Sequence, residues 1–174
     1  MITKYPIQIP YVVSDFEHHK DIKPKLLKFL EKQNSTKSKQ ICEIYERSDW
    51  YVDAGIMRDY WKFLYPSLSK HMAKIYKSLK IEKYSYSNAW FIQYGKDGKL
   101  DWHRYQDQYW ASIYYVDLPK KSSKTLLKNS FDESIIETDV KEGQILTFPG
   151  IIEHCSPPSK DDKIIIAFNI KLKD

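Results

Sequence analysis

Three side chains in the C-terminal half of the sequence have the types and placement that site chemistry needs: His103, His154 and Lys163. Each histidine falls beside the end of a segment whose β-branched and aromatic residues read as a strand. Two imidazoles and one carboxylate on one face of a metal ion leave open positions for further ligands. Lys163 stands at the mouth of the last apolar run, where its ammonium could take an anion. In an extended chain Lys163, Ile165, Ala167 and Asn169 share one face. A metal with an anionic ligand beside it is the chemistry this constellation could support. Cys155 does not pair with His154 as a nucleophile, because neighbours on an extended chain point apart. Taken singly, each histidine reads as a loop or packing residue, so the elements that hold them decide the matter.

The stretch from Glu142 to Ile170 organises the chain. Gln144 to Phe148 reads as a strand entered after Gly143 and left at Pro149-Gly150. His154 follows just past that turn, then a polar Pro-rich loop, then a strand from Ile164 to Leu172 that is apolar on both faces. Such a strand is covered on both sides. Tyr84 to Tyr94 alternates, Gly95 to Gly98 is a turn, and Trp110 to Leu118 is strongly β-prone. Lys120 to Lys128 reads as a polar connection, followed by a short apolar pair at Ile135-Ile136.

The first half has a different character. Tyr5 to Val13 reads as an edge strand, since Pro6 and Pro10 are tolerated at an edge, and Ser14-Asp15 offers a cap. His18-His19 reads as surface. Ile22 to Gln33 is an amphipathic helix, Asn34 to Gln40 a polar loop, and Ile41 to Arg47 a short strand. Gly55 to Leu79 carries apolar residues at three- and four-residue steps, a second helix that Pro66 should kink or split. His71, on that helix, reads as solvated or a packing residue. Helices buttressing one sheet of a β-sandwich or jelly roll is the packing these elements favour.

Composition narrows the function classes. With 174 residues, 42% hydrophobic and 29% charged, the chain is long enough for a real core and is not a disordered polymer. The net charge is +5, but Arg47, Arg58 and Arg104 are the only arginines and the lysines are scattered. That pattern disfavours nucleic acid as a partner. A nucleic-acid-modifying enzyme would call for a contiguous lysine-lined groove. Cys42 and Cys155 form no framework, which points to a reducing compartment. No signal peptide and no membrane-spanning apolar stretch is visible. The cytoplasm is the expected location.

The chain resembles the 2-oxoglutarate and Fe(II)-dependent oxygenases, and within them the small oxygenases common in marine phages that are related to prolyl hydroxylases. The resemblance rests on Asn88-Ala-Trp-Phe, His103, Ser112-Ile-Tyr-Tyr-Val-Asp-Leu-Pro119, Gly143-Gln-Ile-Leu-Thr-Phe-Pro149, His154 and Lys163-Ile-Ile-Ile-Ala-Phe-Asn-Ile170, in that order. It covers roughly residues 88–172, with the N-terminal helices in the expected place. It implies an α+β fold: a double-stranded β-helix (jelly-roll) core over residues 81–174, with a mainly helical buttress over residues 1–80, in a single domain.

The resemblance also implies a site. His103 and His154 take the places of the two histidine ligands. Tyr115 takes the place of a hydroxyl that binds the distal carboxylate of 2-oxoglutarate. Lys163 stands where these enzymes usually place Arg, supplying charge without the bidentate fork. Tyr94 is a pocket hydroxyl, and Asn169 points into the same cavity. The pattern departs at one point. The family motif is His-x-Asp, and this chain has His103-Arg-Tyr105. Tyr105 is a poor Fe(II) ligand of the facial type. Asp107 shares strand parity with His103 and is the favoured carboxylate if the loop bulges. Asp101, Tyr105 itself and a water-completed two-histidine site are the alternatives.

The implied cofactors are Fe(II), the co-substrate 2-oxoglutarate and O2, with succinate and CO2 as co-products. The implied reaction is hydroxylation of a peptidyl residue, proline first, so a protein or peptide is the expected partner. A phage origin would place the protein in the host cytoplasm, and the Lys-, Ile- and Tyr-rich, Gly-poor composition suits an AT-rich genome. The competing reading is a non-catalytic jelly-roll binding module whose iron site has degenerated, with Tyr105 as the mark of that loss.

Overall fold

The computed structural model describes residues 10–52, 57–130 and 132–173. In chain order these form β1 (Val12–Asp15), α1 (His19–Lys32), β2 (Thr36–Lys39), β3 (Glu43–Ser48), α2 (Asp59–Ser78), β4 (Tyr84–Tyr94), β5 (Lys99–His103), β6 (Tyr109–Asp117), β7 (Leu126–Lys128), β8 (Ile135–Glu137), β9 (Gln144–Pro149), β10 (Glu153–Ser156) and β11 (Lys163–Leu172). The strands pair antiparallel in the order β1-β9-β6-β11-β4-β3-β5-β10-β7-β8, with β2 hairpinned onto β3. This is a curled sheet of the jelly-roll type with two helices on one face, the α+β class that the sequence implied.

Alternation along β11 explains the two-sided core. Ile166, Phe168 and Ile170 join Leu26, Leu30, Leu64, Leu68 and Met72 in the cluster between sheet and helices. Ile165 and Ala167 face the other way, into the curl, with Trp90, Tyr94, Ile113, Leu146 and Phe148. Strand β11 pairs with β4 on one side and β6 on the other over nearly its whole length. A strand enclosed in this way is apolar on both faces.

The helices are placed by one apolar stripe each and by polar ties. Along α2, Tyr60, Leu64, Leu68, Met72 and Tyr76 recur at four-residue steps and are fully buried. The helix runs through Pro66 as one element rather than splitting there. Its start is tied to the sheet by Asp49. The Asp49 carboxylate contacts Arg58 Nε at 2.5 Å and accepts from Tyr60 Oη at 3.0 Å and from the Phe91 amide at 2.8 Å.

Several local expectations shift. Most of the edge strand expected over Tyr5 to Val13 lies outside the described residues, as does the expected helix start at Gly55. Ser14 and Asp15 belong to β1 rather than to a cap. The polar loop 34–40 contains β2, and the polar connection 120–128 ends in β7. His19 is not a surface residue. Its Nδ1 is hydrogen-bonded to Tyr114 Oη at 2.8 Å and its Nε2 meets Glu142 at 3.2 Å. Both His71 and Phe16 are buried; His71 packs on Phe16 and bonds Ser14 Oγ at 2.9 Å.

Candidate metal and anion site

Pairing of β5 with β10 places His103 and His154 directly opposite one another as Cα partners. Their rings stand 4.2 Å apart between centroids. Each ring is oriented by its own backbone: His103 Nδ1 lies 2.8 Å from the Asp101 carbonyl, and His154 Nδ1 lies 3.0 Å from the Ile152 carbonyl. A carbonyl only accepts, so Nδ1 carries the proton in both rings and Nε2 carries the lone pair. Among the described residues neither Nε2 has a hydrogen-bond partner. Burial holds both imidazoles neutral. It lowers His103, and with the His103 ring alongside it pushes His154 down to about 3. Neutral rings with fixed tautomers and free Nε2 lone pairs are what metal ligation requires.

Phe148 closes one side of His154, edge to face at 4.7 Å. Tyr105 closes another. Its ring lies 5.9 Å from that of His103 and 5.5 Å from that of His154. Burial raises the pKa of the Tyr105 hydroxyl, and the nearby Asn169 side chain opposes that rise. The backbone of Tyr105 is pinned as well, its amide donating to the Gly150 carbonyl at 2.7 Å. Gly150 lies in the turn that leads into β10, and a Cβ there would meet the Tyr109 carbonyl oxygen at 2.8 Å. The turn that presents His154 and the loop that presents Tyr105 are therefore locked together.

The cationic end of the candidate site lies at the start of β11. Lys163 is 2% exposed, and its ammonium lies 4.8 Å from the Tyr94 ring centroid. It donates to Ser123 O at 2.6 Å, Ser123 Oγ at 2.8 Å and Ser156 Oγ at 2.8 Å. Burial pulls its pKa from 10.5 down to about 7. Ser156, Thr125 and Tyr94 line the cavity in front of this ammonium, and Ile165, Ala167 and Asn169 line its wall along β11. Burial raises Tyr94, and the neighbouring Ser156 hydroxyl opposes that rise. Tyr115 lies behind that wall. Its hydroxyl bonds Thr125 Oγ1 at 2.7 Å, and burial pushes it up to about 12.

Three cavities meet at Tyr105. The inner one, between the histidines and Ser156, measures about 30 Å³. A second, about 170 Å³, lies over Tyr45, Trp50 and Trp90. The outer one, about 790 Å³, is lined by Trp50, Asn88, Arg104, Asp107, Ile151 and Asn169 among others. Only the outer cavity falls in the usual range for ligand pockets.

The sequence-predicted residues thus divide. His103, His154, Tyr94 and Asn169 line the inner cavity, with Lys163 and Tyr115 directly behind it. Asp107 does not join them. It is exposed on the loop between β5 and β6 and lines the outer cavity. The Asp101 carboxylate is half-exposed and paired with Lys99 at 3.0 Å. Among the described residues no group of three His, Cys, Asp or Glu side chains could hold a metal. The donor set fits a metal ion at two imidazoles, and the third neighbour is the Tyr105 phenol. Ser123, Ser156 and Thr125 were not foreseen. They are small hydroxyl residues in segments read as polar loop, and no spacing marks them.

Comparison with known proteins agrees with this geometry at the level of fold. By sequence, no protein family and no curated protein matches the chain. Among solved structures, a prolyl-4-hydroxylase from Pseudomonas putida superposes with a TM-score of 0.69 at 10% identity, over 95% of this chain and 94% of that one. A viral collagen prolyl hydroxylase from Paramecium bursaria Chlorella virus-1, solved as its 2-oxoglutarate complex, gives 0.63 at 15% identity over 94% and 96%. A prolyl hydroxylase from Trichoplax adhaerens, solved with a peptide fragment of hypoxia-inducible factor, gives 0.69 at 10% identity over 92% and 83%. Across most of its length the chain is structurally similar to 2-oxoglutarate and Fe(II) oxygenases, prolyl hydroxylases among them.

Proposed function

We propose that the chain is a single-domain 2-oxoglutarate- and Fe(II)-dependent oxygenase that hydroxylates a peptidyl residue, proline first. The observation that carries this reading is the pair of opposed imidazoles, His103 and His154, with free Nε2 atoms inside a jelly roll of the oxygenase type. Fe(II), when bound, supplies oxidation by O2 coupled to loss of CO2 from 2-oxoglutarate, leaving succinate. The two histidines hold the metal through Nε2. Ser156, Thr125 and Tyr94 receive the distal carboxylate of the diacid. Lys163 behind them, in its protonated form, donates to Ser156 Oγ and leaves that hydroxyl's proton to face the carboxylate. Tyr115 orients Thr125. Phe148, Trp90, Ile113 and Ile165 keep water from the reacting centre. The outer cavity, with Trp50 and Ile151 exposed on its wall, receives the peptide.

The test is an anaerobic titration of the metal-free protein with Fe(II) and 2-oxoglutarate, followed through the visible charge-transfer band of the chelate. The reading expects a saturable band that is lost in His103→Ala and in His154→Ala. Peptide hydroxylation is then followed by mass spectrometry together with succinate release. A folded protein that gives no band removes the chemical basis of the reading. A second reading, a binding module without catalysis, is favoured by one observation: no carboxylate accompanies the histidines among the described residues. It expects ligand binding in the outer cavity that is indifferent to His154→Ala. Among the described residues no helix is long and apolar enough to cross a membrane.

A further inference from the structure

We infer that the third protein ligand of this metal site is the phenol oxygen of Tyr105, in place of a carboxylate. The inference rests on the reading above, in which His103 and His154 hold a metal. It follows from the spacing of three rings. A metal about 2.1 Å from an imidazole Nε2 lies roughly 3.2 Å from that ring's centroid. A metal bound to a phenol oxygen at about 2 Å lies roughly 4.3 Å from the tyrosine ring centroid, by the same ligand distances. With ligands at right angles on one face, the two imidazole centroids then stand about 4.5 Å apart, and each stands about 5.4 Å from the tyrosine centroid. The observed separations are 4.2 Å between His103 and His154, 5.9 Å from Tyr105 to His103 and 5.5 Å from Tyr105 to His154. Each observed separation lies within about half an ångström of the value expected for rings that share a metal.

Three further observations support the assignment. Tyr105 lines the same cavity as both histidines and Asn169, and the Asn169 side chain is near enough to the tyrosine hydroxyl to oppose the rise in its pKa. An amide N–H of Asn169 donating to that oxygen would stabilise a bound phenolate, as outer hydrogen bonds stabilise ligands generally. The hydrogen bond from the Tyr105 amide to the Gly150 carbonyl fixes the tyrosine against the turn that carries His154. The competing oxygens lie elsewhere: Asp107 is on the outer cavity wall and Asp101 is paired with Lys99. Coordination needs no redox step. The metal–oxygen bond forms as the phenol proton leaves to solvent.

A phenolate bound to ferric iron has a visible charge-transfer band and characteristic tyrosinate ring vibrations under resonance excitation. The full-length protein is loaded anaerobically with one equivalent of Fe(II), without 2-oxoglutarate, and then oxidised in air. The wild type is expected to show the band and the vibrations. Tyr105→Phe is expected to lose both and to bind Fe(II) about tenfold or more weakly. Tyr94→Phe and Tyr115→Phe should keep both. Asp107→Ala should leave Fe(II) affinity within about twofold, as expected of a residue outside the ligand set. The inference falls if the wild type binds iron through its histidines with no tyrosinate signal. It also falls if the signal survives in Tyr105→Phe, or if Asp107→Ala alone loses the metal. Failure of the wild type to bind iron at all would overturn both this inference and the reading on which it rests.

Discussion

Replacing Lys163 by Met removes an ammonium that is almost wholly buried and has no carboxylate partner among the described residues. Its three hydrogen bonds go to a carbonyl and two serine hydroxyls, all neutral. Burial is the leading cause of its shift from 10.5 to about 7. The unfolded chain keeps Lys163 protonated up to its ordinary value, while the folded chain releases that proton near pH 7. Between those values the unfolded state binds more protons, so stability rises with pH. Below about pH 7 both states are protonated and the slope vanishes. Well inside the window the slope approaches about 1.4 kcal/mol per pH unit. Integrated from pH 7 to pH 9, Lys163 contributes a rise of about 2 kcal/mol, or a shift in Tm of about 4–8 °C for a chain of this size. Other groups titrate in the same range, and the Lys163→Met variant subtracts them. Urea denaturation of both proteins at each pH unit from 6 to 9 gives the difference directly. The wild type should gain on the variant by about 2 kcal/mol between pH 7 and 9. A difference that stays flat across the range would mean that the ammonium is not desolvated, and the argument from its burial would be refuted.

Further outcomes follow from other parts of the fold. Asp49→Ala leaves the buried Arg58 without its carboxylate and frees the Phe91 amide. It should cost about 3–5 kcal/mol in chemical denaturation, and a loss under about 1 kcal/mol would contradict the role given to this ion pair. Gly143 has φ +84, and a Cβ there would lie 2.9 Å from the His19 ring. Gly143→Ala should cost at least about 1–2 kcal/mol from backbone conformation alone, measured the same way. Phe148→Ala opens the wall against His154 and should cost about 3–5 kcal/mol, with a weaker metal affinity by calorimetry.

The fold was readable where one periodicity dominated. The four-residue stripe of α2 and the two-faced apolar run of β11 led to helices packed on a jelly-roll sheet, which is the arrangement found. Reading failed where tertiary pairing overrode local composition. The polar segment Thr36–Lys39 becomes β2 because β3 offers it a partner, and Leu126–Lys128 becomes β7 because β10 and β8 flank it. His19 looked exposed beside His18, but α1 begins at His19 and turns that ring onto Tyr114 and Glu142. None of these partners is near in sequence, so no window of residues contains the signal.

At the site, alternation along β11 correctly put Ile165, Ala167 and Asn169 on the cavity face. It could not say where the long Lys163 side chain would end, because that depends on Ser123 and Ser156 from two other segments. The third ligand position shows the same limit more sharply. Strand parity made Asp107 eligible, on the assumption that the loop after β5 would bulge to bring a short carboxylate inward. The chain instead anchors Tyr105 to Gly150 and carries Asp107 onward to the outer wall. A tyrosine reaches several ångströms farther than an aspartate, so it fills the space beside His154 that a carboxylate and its loop would have had to be drawn in to occupy. On the assignment inferred above, what a motif comparison scores as the loss of a ligand is the arrival of a different oxygen at the same pair of imidazoles.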